Sequence, residues 1–181
     1  MRIAIDISQI VHEGTGVATY VRKLVAAVLK LDTKNDYVLF GTSLRKRAVF
    51  EEFFLSLQKL NKNVRLVTFP IPPTLLEIMW NRLHIVPAEW LVGDIDIFWS
   101  SDWAQPPLQS AKGITTIHDL IALKFPEETD DRIVAAHTRR LKWVKKECQT
   151  ILCDSKATMR DVEQLLNIPA KSLRVVYPGT I

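Results

Sequence analysis

The stretch RIAIDISQIVHEGTGVATYVRKLVAAVLKL, residues 2–31, decides the fold class. Residues 2–7 are rich in apolar side chains that suit a strand, and a glycine-containing turn follows at Gly14 to Gly16. Apolar side chains then recur at helical spacing, at Val17, Val21, Leu24 and Val28. The order of strand, glycine turn and helix is typical of an α/β protein.

The same alternation continues along the chain. Further strands are predicted at residues 37–41, 64–69, 96–100, 113–117, 150–153 and 173–177. Helices are predicted at 14–31, 44–60, 71–91, 130–148 and 155–167, the third of them kinked or split at Pro87. We therefore expect one doubly wound domain with a mostly parallel sheet and helices on both faces.

Composition narrows the class of protein. At 181 residues, with 48% hydrophobic and 24% charged residues, the chain fits one globular domain. A net charge of +4 favours anionic ligands or surfaces without indicating a nucleic-acid partner. The start MRIAIDI lacks a signal-peptide pattern and no apolar run is long enough for a membrane span, which predicts a cytoplasmic protein. Cys148 and Cys153 match neither a redox pair nor a zinc ligand set.

The turn formed by Gly14, Thr15 and Gly16 has two interpretations. Free N–H groups at the start of the following helix can bind a phosphate or carboxylate, or the turn can simply cap that helix. A dinucleotide fingerprint is disfavoured because Thr19 stands at its third glycine position, and because Asp36 precedes the second strand. No nicotinamide or other cofactor is therefore predicted.

The run ITTIHDL, residues 114–120, ends a predicted strand with His118 and Asp119. These side chains can contact a ligand at the sheet edge, or His118 can bond loop carbonyls while Asp119 closes a turn. Adjacent residues at a strand end point in opposite directions, which disfavours a catalytic pair formed by these two. The other histidines show no metal-binding spacing, so no metal site is predicted, and the motifs of serine hydrolases and P-loop proteins do not occur.

The helix at 130–148 carries a basic face around Arg139, Lys142, Trp143 and Lys146. Such a face can lie against an anionic membrane with Trp143 as an anchor. Alternatively, it is a solvated face with Trp143 packed under a neighbouring loop. Ser155 is interpreted as the cap of the next helix.

In this order, the motifs resemble the amino-terminal half of a group 1 glycosyltransferase of the GT-B fold. The opening strand and GTGVATYVRKL resemble the family's glycine loop and first helix, and TTIHDL resembles its "tvHDl" strand. The segment CDSKATMRDVEQLLNIPAKSLRVVYPG resembles the family's "vSexTkxdlxxxxgipxxkixVvypG" signature. The resemblance implies a Rossmann-like domain over residues 1–177 and the start of an interdomain linker at 178–181.

The resemblance also implies a function. Members of this family transfer a sugar, with retention of configuration, from a nucleotide-sugar to a glycan or lipid-linked acceptor. The carboxyl-terminal half mainly holds the donor, and the amino-terminal half mainly holds the acceptor. The donor half's pair of glutamates separated by seven residues does not occur in these 181 residues, so we expect them to be inactive alone.

Carried over by position, the family pattern places His118 near the transferred sugar as the catalytic residue. It makes Gly14, Thr15, Gly16 and Asp119 substrate-binding residues, with Asp119 mainly supporting its loop. The pattern leans towards mannosyl or rhamnosyl transfer in bacterial polysaccharide biosynthesis, with contact to the inner face of the membrane. The alternative is a non-catalytic α/β domain that binds a ligand or a partner.

Overall fold

The computed structural model describes residues 1–179, and within that range seven strands form one sheet. The strands are β1 (Arg2–Asp6), β2 (Asp36–Thr42), β3 (Val64–Phe69), β4 (Ile97–Ser100), β5 (Lys112–Ile117), β6 (Cys148–Cys153) and β7 (Leu173–Val175). Their order in space is β3-β2-β1-β4-β5-β6-β7, and each neighbouring pair is parallel. The predicted Rossmann-like α/β fold is confirmed.

The helices are α1 (Gly16–Leu31), α2 (Arg47–Gln58), α3 (Pro73–Glu77), α4 (Ala88–Val92), α5 (Ile121–Lys124), α6 (Asp131–Glu147) and α7 (Lys156–Leu166). Single 3₁₀ turns lie at Ser8–Val11, Pro126–Glu128 and Ala170–Ser172. Helix α1 begins two residues later than predicted, because Thr15 is its N-cap, and α2 begins at Arg47 rather than at residue 44.

The predicted third helix is split, as its prolines suggested. It consists of α3, a π-helical turn at Ile78–Arg82, and α4. Between the turn and α4, His84 and Val86 have left-handed backbones with φ of 52° and 63°. Regular helix geometry stops before these two residues, so the break begins upstream of Pro87.

The sheet is covered on both faces, as the side chains of β2 show, because alternate residues of a strand point to opposite faces. Tyr37 and Leu39 pack into one apolar cluster with residues of α1 and α2. Val38 and Phe40 pack into another cluster with Trp80 of the π-helical turn. All four strand residues are at most 2% exposed.

The strand order reverses between β1 and β4, because β2 and β3 extend from one side of β1 and β4 to β7 from the other. Connections diverge at such a point and leave a crevice beyond the carboxyl ends of the strands. The glycine turn and His118 both follow strands at this edge.

The predicted end of the domain at residue 177 and the linker at 178–181 remain predictions. Pro178 and Gly179 have no regular secondary structure, and positions 180 and 181 lie outside the described residues. None of the helices found in residues 1–179 combines the length and apolar composition that crossing a bilayer requires.

Candidate active site

The glycine turn caps a helix and also borders open space. The Thr15 hydroxyl accepts a hydrogen bond from the Ala18 N–H at 3.2 Å and donates to the His12 carbonyl at 2.8 Å. Gly14 has a left-handed backbone with φ of +81°, which favours glycine. A Cβ added at Gly14 or Gly16 would meet no atom within 4 Å. The capping and ligand-facing interpretations of this turn are therefore compatible.

The turn lines a cavity of about 850 Å³ together with His118. This volume lies in the range of small-molecule sites. The wall is formed by Gly14, Thr15, Gly16, Val17, Thr19, Tyr20, Lys23, Leu24, Ala27, His118, Asp154, Tyr177, Pro178 and Gly179. The glycine turn and the histidine, which are more than 100 residues apart in the sequence, thus border one cavity.

His118 is held from three sides. Its Nδ1 lies 3.3 Å from Oδ2 of Asp154, and its ring meets the ring of Tyr20 edge to face at 4.8 Å. Its backbone carbonyl accepts a hydrogen bond from the Thr158 hydroxyl at 2.9 Å. These contacts fix the ring, and its Nε2 makes no hydrogen bond to another of residues 1–179.

Asp119 closes a turn, as the structural interpretation of this residue predicted. Its Oδ1 accepts a hydrogen bond from the Ile121 N–H at 3.0 Å. Asp119 lines a second cavity of about 310 Å³ rather than the larger one, and His118 borders both. The partner of His118 is Asp154 instead, because Asp154 follows β6, the strand adjacent to β5.

Comparison with known proteins gives the context for this geometry. The pattern of the family described as Glycosyltransferase Family 4 matches residues 14–180. The chain belongs to glycosyltransferase family 4. It forms the amino-terminal domain of a GT-B type group 1 glycosyltransferase, in agreement with the resemblance found in the sequence. No curated protein matches the chain.

Ser155 and Thr158 of this family 4 domain connect the DSKAT segment to the HDL segment by hydrogen bonds. The Ser155 hydroxyl caps α7 by accepting from the Thr158 N–H at 3.0 Å, as predicted. The Thr158 hydroxyl lies 3.1 Å from Oδ1 of Asp154 and also bonds the His118 carbonyl. The start of α7 therefore supports both the ring and the backbone of His118.

Arg140 is a buried residue at this site that the sequence interpretation missed. It is 2% exposed, and its Nη2 donates to the Thr115 hydroxyl at 2.6 Å and to the Ser101 carbonyl at 3.0 Å. Burial lowers the pKa of the guanidinium, and the nearby Asp102 charge opposes that shift. The sequence did contain a signal for this burial, because Arg140 stands at helical spacing from the apolar residues Ala136 and Val144. Both of those residues are buried in the structure.

Asp6, at the end of β1, is the second buried charge that was missed. Its Oδ1 accepts a hydrogen bond from the Ser8 N–H at 2.8 Å, while its Oδ2 is buried without a partner among residues 1–179. Burial raises the pKa of this carboxyl above its usual value, although the bonds from Ser8 oppose the shift. Asp6, Asp102 and His118 border a pocket with room for one water, and this pocket shares Val17 and His118 with both cavities.

The basic face of α6 is partly engaged in packing. Trp143 stacks on His84 with ring centroids 3.5 Å apart, and its Nε1 donates to the Asn81 carbonyl at 2.8 Å. Arg139 forms an ion pair with the buried Glu77 at 2.7 Å. Trp143 is therefore packed against its neighbours, as the alternative interpretation of this face expected, and is not a free anchor.

Proposed function

We propose that this domain is the acceptor-side half of a retaining glycosyltransferase that transfers a hexose from a nucleotide-sugar to a glycan or lipid-linked acceptor. The observation that carries the proposal is the position of His118, which is fixed by Asp154 at the wall of the cavity that the glycine turn also borders. A cavity at the carboxyl ends of parallel strands, beside a strand-order reversal, is where α/β proteins bind ligands.

In this proposal the cavity near the glycine turn takes the reacting ends of the two substrates. The start of α1 offers free N–H groups and the positive end of the helix dipole to a donor phosphate. His118 offers Nε2 to a hydroxyl of the transferred sugar, where a hydrogen bond that strengthens as positive charge develops would lower the barrier. Asp119 supports the loop and does not react.

Retention of configuration requires no pair of catalytic carboxylates in this half. In this reaction the acceptor attacks the face of the sugar that the phosphate leaves. As the bond between the anomeric carbon and the phosphate oxygen breaks, that oxygen takes the proton of the acceptor hydroxyl, and the acceptor oxygen bonds to the anomeric carbon. The nucleotide-sugar would be bound mainly by the carboxyl-terminal half of the longer protein. We place the reaction in bacterial polysaccharide biosynthesis, with a mannosyl or rhamnosyl donor as the first candidates.

The test is sugar transfer by the longer protein that includes both halves, assayed with a panel of nucleotide-sugars. His118→Ala should lower kcat roughly 100-fold, since a positioned polar group that contacts developing charge contributes about that much. His12→Ala is the matched control, because His12 is exposed beside the same turn and should leave kcat unchanged.

Residues 1–181 alone should show no transfer. Unchanged turnover in His118→Ala would remove this residue from the mechanism. Tight binding of a glycan without turnover of any nucleotide-sugar by the longer protein would instead support a non-catalytic binding domain.

A further inference from the structure

A small pocket lined by residues of α1, β1, β4 and β5 brings together polar atoms that have no partner. Its volume is about 20 Å³, which is room for one water and for nothing much larger. Asp6, Tyr20 and Asp102 line this pocket. Oδ2 of Asp6, the Tyr20 hydroxyl and Oδ1 of Asp102 are buried and make no hydrogen bond to another of residues 1–179. Buried polar groups are almost always hydrogen-bonded, so the three oxygens indicate a shared partner at the pocket.

The three oxygens complement the hydrogen-bonding groups of one water molecule. Carboxylate oxygens only accept hydrogen bonds, so Asp6 and Asp102 cannot bond each other while both are ionised. A water offers one hydrogen to each carboxylate and a lone pair to the O–H of Tyr20. Buried waters typically make about three hydrogen bonds, and this arrangement supplies that number.

The electrostatics of Asp6 also favour a water at this position. Asp6 is 2% exposed, and the Ser8 N–H bonds its Oδ1, which leaves Oδ2 without a donor among residues 1–179. Burial, and to a smaller extent the charge of Asp102, raises the pKa of the Asp6 carboxyl, while its bonds with Ser8 oppose the shift. A water that donates to Oδ2 restores part of the solvation that burial removes.

Tyr20 connects the pocket to the proposed active site. Its ring meets the ring of His118 edge to face, with centroids 4.8 Å apart and ring planes at 87°. Within residues 1–179, the imidazole forms its one hydrogen bond with Asp154. The Tyr20 ring is therefore the second contact that limits where the imidazole lies. Whatever holds the Tyr20 hydroxyl also holds the His118 ring.

We propose that one buried water in this pocket joins the Tyr20 hydroxyl to the carboxylates of Asp6 and Asp102, and that Tyr20 and Asp6 are thereby positioning residues for His118. Asp6 lines neither of the two larger cavities, so it acts through the water and not on a substrate. The consequence for sugar transfer rests on the proposed function, whereas the water and its three hydrogen bonds do not.

The first test is a crystal structure of the chain without substrate. A water should lie about 2.5–3.0 Å from Oδ2 of Asp6, the Tyr20 hydroxyl and Oδ1 of Asp102. A direct hydrogen bond between two of these groups, or a pocket filled by a side chain, would overturn the proposal. Electron density that depends on sodium or potassium in the crystallisation solution would overturn it too, because the ligand would then be a cation.

The second test follows the Cε1–H resonance of His118 by NMR in the same chain. Tyr20→Leu removes the neighbouring ring and gives the resonance of an imidazole without this contact. Tyr20→Phe removes only the hydroxyl and should move the resonance part of the way towards that position, as should Asp6→Ala. Asp6→Asn should leave the resonance in place, because its amide nitrogen can donate to the water.

Tyr37→Phe is the matched control for these NMR measurements. It also removes a tyrosine hydroxyl, but that hydroxyl bonds Oδ2 of Asp32 at 2.7 Å, away from the pocket. The His118 resonance should not move in this variant. Circular dichroism of each variant checks that it folds. An unmoved resonance in Tyr20→Phe and Asp6→Ala, or an equal movement in Tyr37→Phe, would overturn the positioning role.

The third test is sugar transfer by the longer protein. Tyr20→Phe and Asp6→Ala should lower kcat roughly 10-fold with little change in KM, because a small misplacement of a reacting group slows the reaction. Asp6→Asn should restore most of the rate lost in Asp6→Ala. A moved resonance with unchanged kcat would overturn the role in transfer. If the original protein transfers no sugar while the water and the NMR changes are found, the proposed function fails and the hydrogen-bonded water stands.

Discussion

The imidazole of His118 and the carboxylate of Asp154 lie 3.3 Å apart between Nδ1 and Oδ2, although they follow different strands. Each follows one of two adjacent parallel strands, β5 and β6, so the pairing is a consequence of register. Ile117 and Cys153 are partners in that register, and the next residue of each strand carries the ionisable side chain. The sheet therefore supplies the histidine with an orienting partner that its sequence neighbour, Asp119, does not provide.

Asp154→Asn should impair sugar transfer by the longer protein without preventing folding. The amide keeps the size of the side chain but removes the charge that orients His118, and small misplacements of a reacting group lower rates by roughly 10- to 100-fold. We expect this loss in kcat, with a smaller change in KM. The control is Asp161→Asn, which removes a carboxylate of α7 that pairs with Lys124 of α5. Equal effects of the two substitutions would contradict an orienting role for Asp154.

Gly113→Ala should destabilise the domain strongly, whereas Gly16→Ala should not. A Cβ at Gly113 would lie 2.4 Å from the Glu147 carbonyl oxygen, at the irregular start of the pairing between β5 and β6. A Cβ at Gly16 meets nothing within 4 Å, and alanine favours a helix over glycine by about 1 kcal/mol. Urea unfolding measures both changes. A stable Gly113→Ala protein would show that the backbone can move enough to relieve the contact between the added Cβ and the Glu147 carbonyl oxygen.

Gly16→Ala is also informative about the cavity. Because the substitution adds a methyl group to the cavity wall without straining the backbone, it separates ligand binding from stability. We expect weaker substrate binding, seen as a raised KM in the longer protein, at unchanged or raised stability.

Asp6→Asn should flatten the pH dependence of stability. Burial raises the pKa of Asp6 in the folded state, so the folded protein binds the proton more tightly than the unfolded chain. Stability due to this group is therefore fully present below its ordinary pKa of 3.8 and falls as pH rises through the raised value. The stability of the asparagine variant relative to the original protein should therefore increase from acid to neutral pH. Urea unfolding midpoints measure this difference.

Asp32→Asn should change the pH dependence of stability in the opposite direction. The Tyr37 hydroxyl, 2.7 Å from Oδ2, and the Asn35 amide lower the pKa of Asp32 well below its usual range. Its contribution is present above the ordinary pKa of 3.8 and is lost as pH falls towards the lowered value. This variant should therefore be less stable than the original protein at neutral pH, with the difference shrinking in acid. The same pH trend in both variants would contradict these assignments.

Ser155→Ala should cost about 1 kcal/mol of stability, the usual effect of losing an N-cap side chain. Ser155 accepts from the first turn of α7, and that turn carries Thr158, which bonds the His118 carbonyl. The substitution should therefore also lower transfer activity in the longer protein. Ser110→Ala, at an exposed serine, is the control and should change neither property.

The sequence by itself determined the parallel α/β fold and which loops carry candidate site residues. The spacing of its apolar residues is a local signal for strands and helices. The alternation of strands with helices then leaves few possible sheet topologies. That is why RIAIDI, GTG and TTIHDL, together with the family resemblance, sufficed to locate Gly14, Thr15, Gly16 and His118 at one edge. The cap at Ser155 was predictable for the same reason, since a cap acts within one turn of helix.

Only the tertiary structure decided which side chains meet at that edge. Asp154 became the partner of His118 through the register of β5 against β6, and Arg140 was buried among the backbone groups of β4 and β5 because α6 crosses them. It also decided that Trp143 is packed against His84 while Trp90 is exposed. These contacts join residues distant in the sequence, and no local periodicity encodes them, because they depend on how complete elements pack together.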